Sequence, residues 1–449
     1  MADGFRLGVT VPELDVDIEY DHVPITDQSF ENALERAKNK ERLSVADGIE
    51  LITTGTEKPG IDPERKAQVI DIANQRRAEI VGDEVTFVAN LNNNITTVCD
   101  AGCLFCNFST PSCEYRNADN PAGYTRTPAE SRELVDTALD RGISEVTVAS
   151  GLHPSLALDG EHKEILRNTD ELVRYEPPKS YPDDPGTYTE QIDAISFDGL
   201  HVHGITPEEA THASRGTDWE YVDVYRRLAD AGLDSVPGTA AEILVDEVRD
   251  VICSNKVSAD DWMHAMEAAA TAGLEITATI LYGHIENAAH RVLHLQKIRR
   301  LQERTGSIRE FIPLSFVHHN TPLYEQGYLS EGATPAEDEL MVAVSRLFLD
   351  NIDHIQASWV KHGDGRSLNL LTCGADDYMG TLLSEEITKR AGGDHGEYRT
   401  FKDYVDMITS IGRIPVERST DYRTRRRIDP DDPPFGPTIG PRADGSPIL

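Results

Sequence analysis

The chain alternates between short strand-like runs and longer helical patterns, and this alternation restricts its fold more than any other feature. Eight strand-like runs follow residue 83. They cover residues 84–91, 145–150, 194–204, 233–238, 275–283, 309–317, 352–360 and 368–375. Helix-start signals separate them, since Thr127 and Thr206 are each followed by Pro and, three residues on, by Glu. Eight alternating units predict a closed (β/α)8 barrel of the α/β class, with an open doubly wound sheet as the alternative.

Three regions follow from this pattern. Residues 1–83 are predicted to form an N-terminal extension with amphipathic helices, and residues 84–415 the barrel. Residues 416–449 are rich in Pro and Gly, which predicts an irregular C-terminal tail. Two polar stretches, at about 109–126 and 154–193, are rich in Pro, Asp and Gly and are predicted to be acidic surface insertions. Barrels as long as this 449-residue chain do occur as one domain.

Three of the six cysteines lie within the eight residues CDAGCLFC, at 99–106. Cys99, Cys103 and Cys106 follow the first predicted strand, so we expect them on the first βα loop, at the face where barrel active sites lie. Bunched cysteines in a chain without a secretory signal bind metal more often than they form disulfides. Three thiolates are too few for a closed zinc site, even though Cys113 is near. They suit a [4Fe–4S] cluster with one open iron; zinc or buried core cysteines are the alternatives.

The formal net charge is −35, with 78 acidic residues spread along the whole chain. Such an excess disfavours binding to nucleic acid or to an anionic membrane. It keeps a protein hydrated in concentrated salt, so it predicts a halophile, with an ordinary acidic protein as the alternative. The N-terminal MADGFRLGVTVPELD lacks the features of a signal peptide, and no run of about 18 apolar residues occurs. We therefore expect a cytoplasmic protein.

The cysteine spacing C-x3-C-x2-C, with Phe105 before the last cysteine, resembles the signature of the radical S-adenosylmethionine (radical SAM) superfamily. The resemblance implies that the three cysteines hold a [4Fe–4S] cluster, whose open iron binds the amino and carboxylate groups of S-adenosylmethionine. One electron then yields methionine and a 5′-deoxyadenosyl radical. It also implies that Phe105 and the turn at Ser150 and Gly151 contact the cofactor, where small residues permit close approach. A plain tight turn is the alternative for that pair.

Further stretches narrow the resemblance to one family within the superfamily. They are SGLHP (150–154), HVHGITP (201–207), AGLDSVPGTAAEIL (231–244), VRDVICSNKVSADDW (248–262), ATILYGHIE (278–286), FIPLSFVHHNTPL (311–323), IQASWVKHG (355–363) and CGADDYMGTLLSEEI (373–387). They resemble the second subunit of FO synthase (CofH type), and the acidic composition suggests a haloarchaeal member. Menaquinone-pathway enzymes, aminofutalosine synthase and the futalosine-derived cyclase, are the alternative, but they tend to read PGGGAEI where this chain has PGTAAEI. Met379 departs from the family, which usually has Gly there.

This resemblance implies a specific reaction. L-tyrosine is cleaved between Cα and Cβ, and the 4-hydroxybenzyl radical adds to C5 of 5-amino-6-(D-ribitylamino)uracil. The products are 5-amino-5-(4-hydroxybenzyl)-6-(D-ribitylimino)-5,6-dihydrouracil, 2-iminoacetate, methionine and 5′-deoxyadenosine. The implied partners are an electron donor and the first FO synthase subunit (CofG type), which closes the deazaflavin ring.

Eight polar residues near predicted strand ends are candidates for binding these substrates. They are His153, His201, His203, Glu242, Tyr282, His284, Asp376 and Asp377. The pair His201 and His203 face one side of their strand, and either could relay a proton if that side is the barrel interior. Several of these candidates have an alternative role. The two histidines could form a hydrogen-bonded core pair, and Glu242 could simply stabilise a helix start. Tyr282 could serve packing alone, and the aspartates could be solvated carboxylates. No residue is assigned as catalytic.

Overall fold

The computed structural model describes residues 27–56, 60–116, 123–168 and 181–429. The first 26 residues of the predicted extension, the centres of both predicted insertions and the last 20 residues of the predicted tail lie outside this range. The strands are β1 (Glu84–Val88), β2 (Asn90–Asn92), β3 (Glu145–Val148), β4 (His201–Gly204), β5 (Ser235–Val236), β6 (Glu275–Tyr282), β7 (Ile308–Ser315), β8 (His354–Ile355), β9 (Asp377–Gly380), β10 (Ile414–Arg418) and β11 (Arg425–Arg427).

The helices fill the intervals between these strands. They are α1 (Asp27–Lys38), α2 (Val45–Ile52), α3 (Pro63–Val81), α4 (Ser112–Tyr115), α5 (Pro128–Leu139), α6 (Gly160–Asn168), α7 (Tyr188–Ile195), α8 (Pro207–Ser214), α9 (Tyr221–Asp230), α10 (Asp246–Ile252), α11 (Ala259–Thr271), α12 (Ala288–Thr305), α13 (Pro322–Glu325), α14 (Pro335–Phe348), α15 (Trp359–His362), α16 (Asp364–Leu370), α17 (Ile387–Arg390) and α18 (Phe401–Ser410). Among the described residues no helix is long and apolar enough to cross a membrane.

Seven parallel strands, β2 to β8, form one curled sheet in chain order. The two edges of this sheet are connected through β9 and β1. Gln356, just after β8, forms a bridge with Asp377 of β9, and β9 in turn pairs with β1. β1 runs into β2 after a break at Ala89. The prediction of a parallel α/β barrel is confirmed, because the strand order shows no reversal of the kind that defines a doubly wound sheet.

The helix starts were predicted from capping signals, and the structure confirms them. The Thr127 hydroxyl accepts from the Glu130 N–H at 3.3 Å, and the Glu130 carboxylate accepts from the Thr127 N–H at 2.7 Å. Thr206 and Glu209 repeat this capping box at α8. Each box satisfies N–H groups that a helix start leaves without partners, so the βα loops begin their helices at fixed positions.

The eighth barrel strand lies later in the chain than predicted. Residues 368–375 were expected to form it, but they belong to the end of α16 and the turn after it, and β9 begins at Asp377. The buried Leu370 and Leu371 serve a helix–turn here. A short apolar run fits a buried strand and a buried helix end equally well, which explains the error.

The segment after residue 416 is more ordered than the predicted irregular tail. β10 pairs in parallel with β1, and β11 folds back antiparallel onto β10. Between them the chain crosses the N-terminal opening of the barrel: the Thr420 hydroxyl donates to Glu145 of β3, and the Tyr422 ring stacks on His354 of β8 with centroids 3.8 Å apart. We call residues 418–424 the plug, since they close this opening.

Candidate functional site

The three clustered cysteines lie on the loop after β2, at the end of the barrel where the strands finish; we call this the cysteine end. Backbone hydrogen bonds fix the loop. The Cys99 N–H donates to the Thr110 carbonyl at 3.0 Å, and the Leu104 N–H donates to the Ile252 carbonyl at 2.8 Å. All three cysteines are partly exposed, whereas Cys253 and Cys373 are buried. The loop therefore presents three accessible thiols from a fixed backbone.

These thiols fit an iron–sulfur cluster better than a single ion. In the parts of the chain that the structure describes, no three His, Cys, Asp or Glu side chains are placed to share one metal ion. A structural zinc ion needs four converging ligands, whereas the cysteines of a [4Fe–4S] cluster each bind a different iron. Burial raises the pKa of Cys99 and Cys103, so both are neutral thiols until a metal displaces their protons. The donor set therefore suits a cluster with three cysteine ligands.

The turn after β3 packs directly against the start of the cysteine loop. The Gly151 N–H donates to the Thr96 carbonyl at 2.9 Å, and a Cβ on Gly151 would lie 2.4 Å from the Val98 carbonyl oxygen. Only glycine permits this approach. The Ser150 N–H donates to Glu209 at 3.2 Å, so both N–H groups of the turn are used within the protein. The turn supports the cysteine loop, and its predicted contact with the cofactor would use carbonyl oxygens or the Ser150 hydroxyl, whose oxygen accepts from the Ile95 N–H at 2.7 Å.

Glu242 and Lys256 form a buried ion pair beside the cysteine loop. The Lys256 Nζ donates to Glu242 Oε1 at 2.7 Å, and each side chain is 9% exposed. The same Nζ lies 5.6 Å from the centroid of the Phe105 ring. Burial alone lowers the pKa of Lys256, but Glu242 and the neighbouring thiols and carboxylates raise it above its ordinary value, so the side chain is an ammonium. The structure thus brings Phe105 and Glu242 together at the cysteine end.

A second lysine, Lys361, lies partly buried in α15 after β8. Its Nζ donates to the Thr388 hydroxyl at 2.7 Å, and that hydroxyl donates to Glu385 at 3.2 Å. Lys361 interacts electrostatically with Glu385, Glu242 and Cys106, and burial lowers its pKa. Sequence reasoning did not single out either lysine. A signal was present, since a chain with 78 acidic residues has only 11 lysines, and Lys361 directly follows the predicted strand at 352–360.

His153 lies at the cysteine end inside a small aromatic cluster. Its ring centroid is 4.4 Å from that of Tyr181 and 6.0 Å from that of Tyr115. Burial lowers its pKa to about 4, so it is neutral. Tyr115 donates to Asp183 at 3.0 Å, so the two predicted insertions meet here. Tyr115 and Tyr181 are buried, so the described parts of these stretches pack on His153 and are not purely surface features.

Tyr282 and His284 end β6, but they do not point to one site. Tyr282 is fully buried and its hydroxyl donates to Asp338 of α14 at 2.8 Å, on the helix side of the barrel. This placement favours the packing alternative for Tyr282. His284 is held in its loop, where its Nδ1 accepts from the Ile285 N–H at 2.8 Å. Glu286 accepts from the Gly283 and His284 N–H groups, which fixes the loop.

The histidine pair lies at the other end of the barrel, where the strands begin. His201 and His203 both contact the Ser235 hydroxyl, at 2.7 and 2.6 Å. His201 is the first residue of β4, and in parallel strands first residues gather opposite the cysteine end. Burial lowers the pKa of His203 to about 4. The two histidines thus face one side of their strand, in a hydrogen-bonded group distant from the cysteine loop, which is the arrangement of the core-pair alternative.

The aspartates also lie where strands begin. Asp376 accepts from Arg346 at 2.5 Å and from His354 at 2.7 Å. Asp377 accepts from Arg418 of the plug at 2.6 Å and from Thr86 at 2.7 Å. We call this region the arginine end. Both carboxylates are buried and engaged within the protein, so they are not the solvated carboxylates of the alternative, nor are they brought to the cysteine loop.

Comparison with known proteins gives a consistent picture. Residues 93–298 match the radical SAM superfamily, and residues 305–430 match the CofH/MqnC C-terminal region. The 5-amino-6-(D-ribitylamino)uracil–L-tyrosine 4-hydroxyphenyl transferase of Haloarcula marismortui is 63% identical over 98% of both chains. The enzyme of that name from Halobacterium salinarum is 62% identical over 96% of both chains. The one from Methanopyrus kandleri is 37% identical over 85% of this chain and 94% of the relative.

Solved structures share the fold. HydG, a maturase of the [FeFe]-hydrogenase, superimposes with a TM-score of 0.61 at 16% identity, over 89% of this chain and 77% of HydG. Methylornithine synthase (PylB) gives a TM-score of 0.59 at 15% identity, over 85% of this chain and 97% of PylB. At such low identity the likeness shows the architecture alone.

Proposed function

The chain belongs to the 5-amino-6-(D-ribitylamino)uracil–L-tyrosine 4-hydroxyphenyl transferases of the radical SAM superfamily, and we propose that its cysteine end holds all the reactants. It is a transferase that moves the 4-hydroxybenzyl fragment of L-tyrosine onto the ribitylaminouracil in FO biosynthesis. The menaquinone-pathway alternative is not favoured. We place the reactants at the cysteine end because a fixed loop presents three partly exposed cysteines there, at the barrel end where active sites lie.

The cofactors of this family are a [4Fe–4S] cluster, whose ligands here are Cys99, Cys103 and Cys106, and S-adenosylmethionine. Together they supply the one-electron chemistry that starts the reaction. The protein fixes the loop through the Leu104–Ile252 hydrogen bond and the close packing of Gly151. Phe105 and the Ser150–Gly151 turn flank the S-adenosylmethionine. The buried aromatic cover around His153 excludes water, which protects a reactive intermediate.

The substrates are L-tyrosine and 5-amino-6-(D-ribitylamino)uracil, and both bind beside the cysteine loop. Glu242 is the site carboxylate, positioned by Lys256 and suited to the ammonium group of tyrosine. His153 and His284 line the walls, since both are buried and neighbour the strand ends. Tyr282, His201, His203, Asp376 and Asp377 support the barrel around and beneath the site, because their polar groups are bound within the protein.

Two protein partners complete the scheme. An electron donor has to reduce the cluster before S-adenosylmethionine is cleaved, and the benzylated uracil needs the first FO synthase subunit (CofG type) to close the deazaflavin ring. We place the reaction in the cytoplasm, where reducing conditions keep cysteines available for iron. The net charge of −35 and the two haloarchaeal relatives support a salt-rich cytoplasm.

The function is tested by an anaerobic assay in molar KCl. Reconstituted protein receives S-adenosylmethionine, L-tyrosine, the ribitylaminouracil and a chemical reductant, and mass spectrometry searches for the benzylated uracil. Its formation by the natural protein and its absence with Cys103→Ala confirm the transferase. An aminofutalosine-type product from that pathway's own substrates, with no benzylated uracil, would establish the menaquinone alternative.

A further inference from the structure

Lys361 differs from the other lysines in what surrounds its charge. Eight of the nine described lysines have a carboxylate oxygen within 4.0 Å. Lys361 has none among the described residues, and the Thr388 hydroxyl is its hydrogen-bond partner. This occurs in a chain with 78 acidic residues and 43 basic ones. An unpaired lysine is therefore unusual for this protein.

The position of Lys361 makes its lack of a carboxylate partner costly. A partly buried ammonium without a carboxylate loses part of its hydration and gains little in return. The ammonium has three donors, and the contact with Thr388 uses one of them. Thr388 in turn donates to Glu385, so its oxygen is oriented to accept from Lys361. The side chain is thus held in place with donors left for an anion.

Lys361 is connected to the cysteine loop through α17. Asn107, next to Cys106, donates its side-chain N–H to the Arg390 carbonyl of α17 at 2.8 Å, and α17 also carries Thr388. The electrostatic neighbours of Lys361 include Glu242. The cysteine end therefore offers one unpaired ammonium and one carboxylate near each other, and Lys256 orients the carboxylate.

We propose that Lys361 binds the α-carboxylate of L-tyrosine, while Glu242 binds its ammonium group. An amino acid is a zwitterion, and a pair of opposite charges at one site recognises both of its ends. S-adenosylmethionine also carries an α-carboxylate. In this superfamily, however, its amino and carboxylate groups bind the open iron of the cluster. The inference rests on the proposed function, because it takes tyrosine as the substrate.

The test is equilibrium dialysis with the reconstituted, unreduced enzyme and three tyrosine-type ligands: L-tyrosine, tyramine, which lacks the carboxylate, and 3-(4-hydroxyphenyl)propanoate, which lacks the amine. We expect Lys361→Met to weaken L-tyrosine and the propanoate by about 10- to 100-fold, the range for a hydrogen bond to a charged group, and tyramine by less than about 2-fold. Lys361→Arg keeps the charge and should restore most of the affinity. Lys297→Met, which removes a lysine paired with Asp260 at the surface, is the matched control and should change nothing.

Each other outcome overturns a defined part of the inference. Equal losses for tyrosine and tyramine would mean that Lys361 only shapes the site, and a selective loss of S-adenosylmethionine affinity would assign Lys361 to the cofactor. If the natural protein binds tyrosine and Lys361→Met binds it equally well, the inference fails while the proposed function stands. If the natural protein binds no tyrosine, both fail. Thermal unfolding of the Met variant at or above the natural temperature supports a ligand-binding role, and a lower temperature supports a structural one.

Discussion

The two ends of the barrel treat their buried polar groups in opposite ways. At the arginine end Arg418 contacts Asp377 at 2.6 Å and Glu310 at 3.2 Å, so one cation serves two carboxylates. At the cysteine end Lys361 has no carboxylate within reach, and the fully buried amide of Asn93, just after β2, has no hydrogen-bond partner for either polar atom among the described residues. The two carboxylates at the arginine end therefore share a cation, whereas Lys361 and Asn93 at the cysteine end lack such partners among the described residues.

This difference suggests that the arginine end serves the stability of the fold and that the cysteine end serves the reaction. A buried donor or acceptor without a partner costs about 1–3 kcal/mol, so a ligand that supplies the partner gains binding energy there. Ligands can do this at the cysteine end. At the arginine end the plug already supplies the partners, which leaves little for a substrate to bind. Variants at the cysteine end should therefore alter binding and turnover, and variants at the arginine end should alter folding.

The largest contrast is expected at the cysteine loop. Cys103→Ala removes one of three cluster ligands, so we expect the iron content to collapse and the transferase activity to disappear, with little change in the unfolding of the metal-free protein. Iron and sulfide analysis with an activity assay measures this. Cys113→Ala, which alters an exposed cysteine on α4, should keep both cluster and activity. A brown, active Cys103→Ala protein would refute the ligand assignment.

At the other end the largest effect is expected from Arg418→Met. It leaves the buried Asp377 and Glu310 without their cation, which typically costs about 3–5 kcal/mol of unfolding free energy. Denaturant unfolding at constant KCl measures the loss. Arg423→Met, on the same plug but 72% exposed, should cost less than about 1 kcal/mol. Similar losses of unfolding free energy for the two variants would mean that the buried ion pairs of Arg418 do not stabilise the fold.

The pH dependence of stability gives a finer test of the arginine end. Burial and the nearby Asp377 together raise the pKa of Glu310 to about 8, although Arg418 opposes them. Because this folded-state pKa exceeds the ordinary value of 4.5, the contribution of Glu310 is complete below about pH 4.5 and is lost as the pH rises towards 8. Glu310→Gln should remove a slope of about 1.4 kcal/mol per pH unit from unfolding curves measured across that window. An unchanged slope would show that Glu310 is ionised throughout.

The smallest effect concerns one hydroxyl of the plug. Tyr422 donates to Glu310 at 2.7 Å, and its ring stacks on His354. Tyr422→Phe keeps the stacking and loses the hydrogen bond, so we expect a loss of about 1 kcal/mol in unfolding free energy and unchanged tyrosine binding. Tyr324→Phe, at an exposed position, is the control. Weaker tyrosine binding by Tyr422→Phe would break the separation between the two ends.

The sequence allowed prediction of the features that depend on neighbouring residues. The cysteine spacing, the capping boxes and the order of strands and helices are local patterns, and all of them are present in the structure. The position of β9 was missed because the residues before it are apolar enough for a strand. Asp376 and Asp377 were candidates for substrate binding because their partners, Arg346 and Arg418, are 30 and 41 residues away in the chain. Lys361 could not be singled out, because the absence of a partner is visible only in three dimensions.

The strand β1 lies between β9 and β10, because its Thr86 pairs with Asp377 of β9 and with Val416 of β10. The ribosome makes β1 early, but it makes β9 and β10 almost last. During synthesis on the ribosome the first strand therefore waits with unpaired edges until nearly all of the chain has emerged. A nascent chain that stops before residue 414 lacks the plug and cannot neutralise its buried carboxylates. Closure of the barrel therefore has to wait for the last strands of the chain.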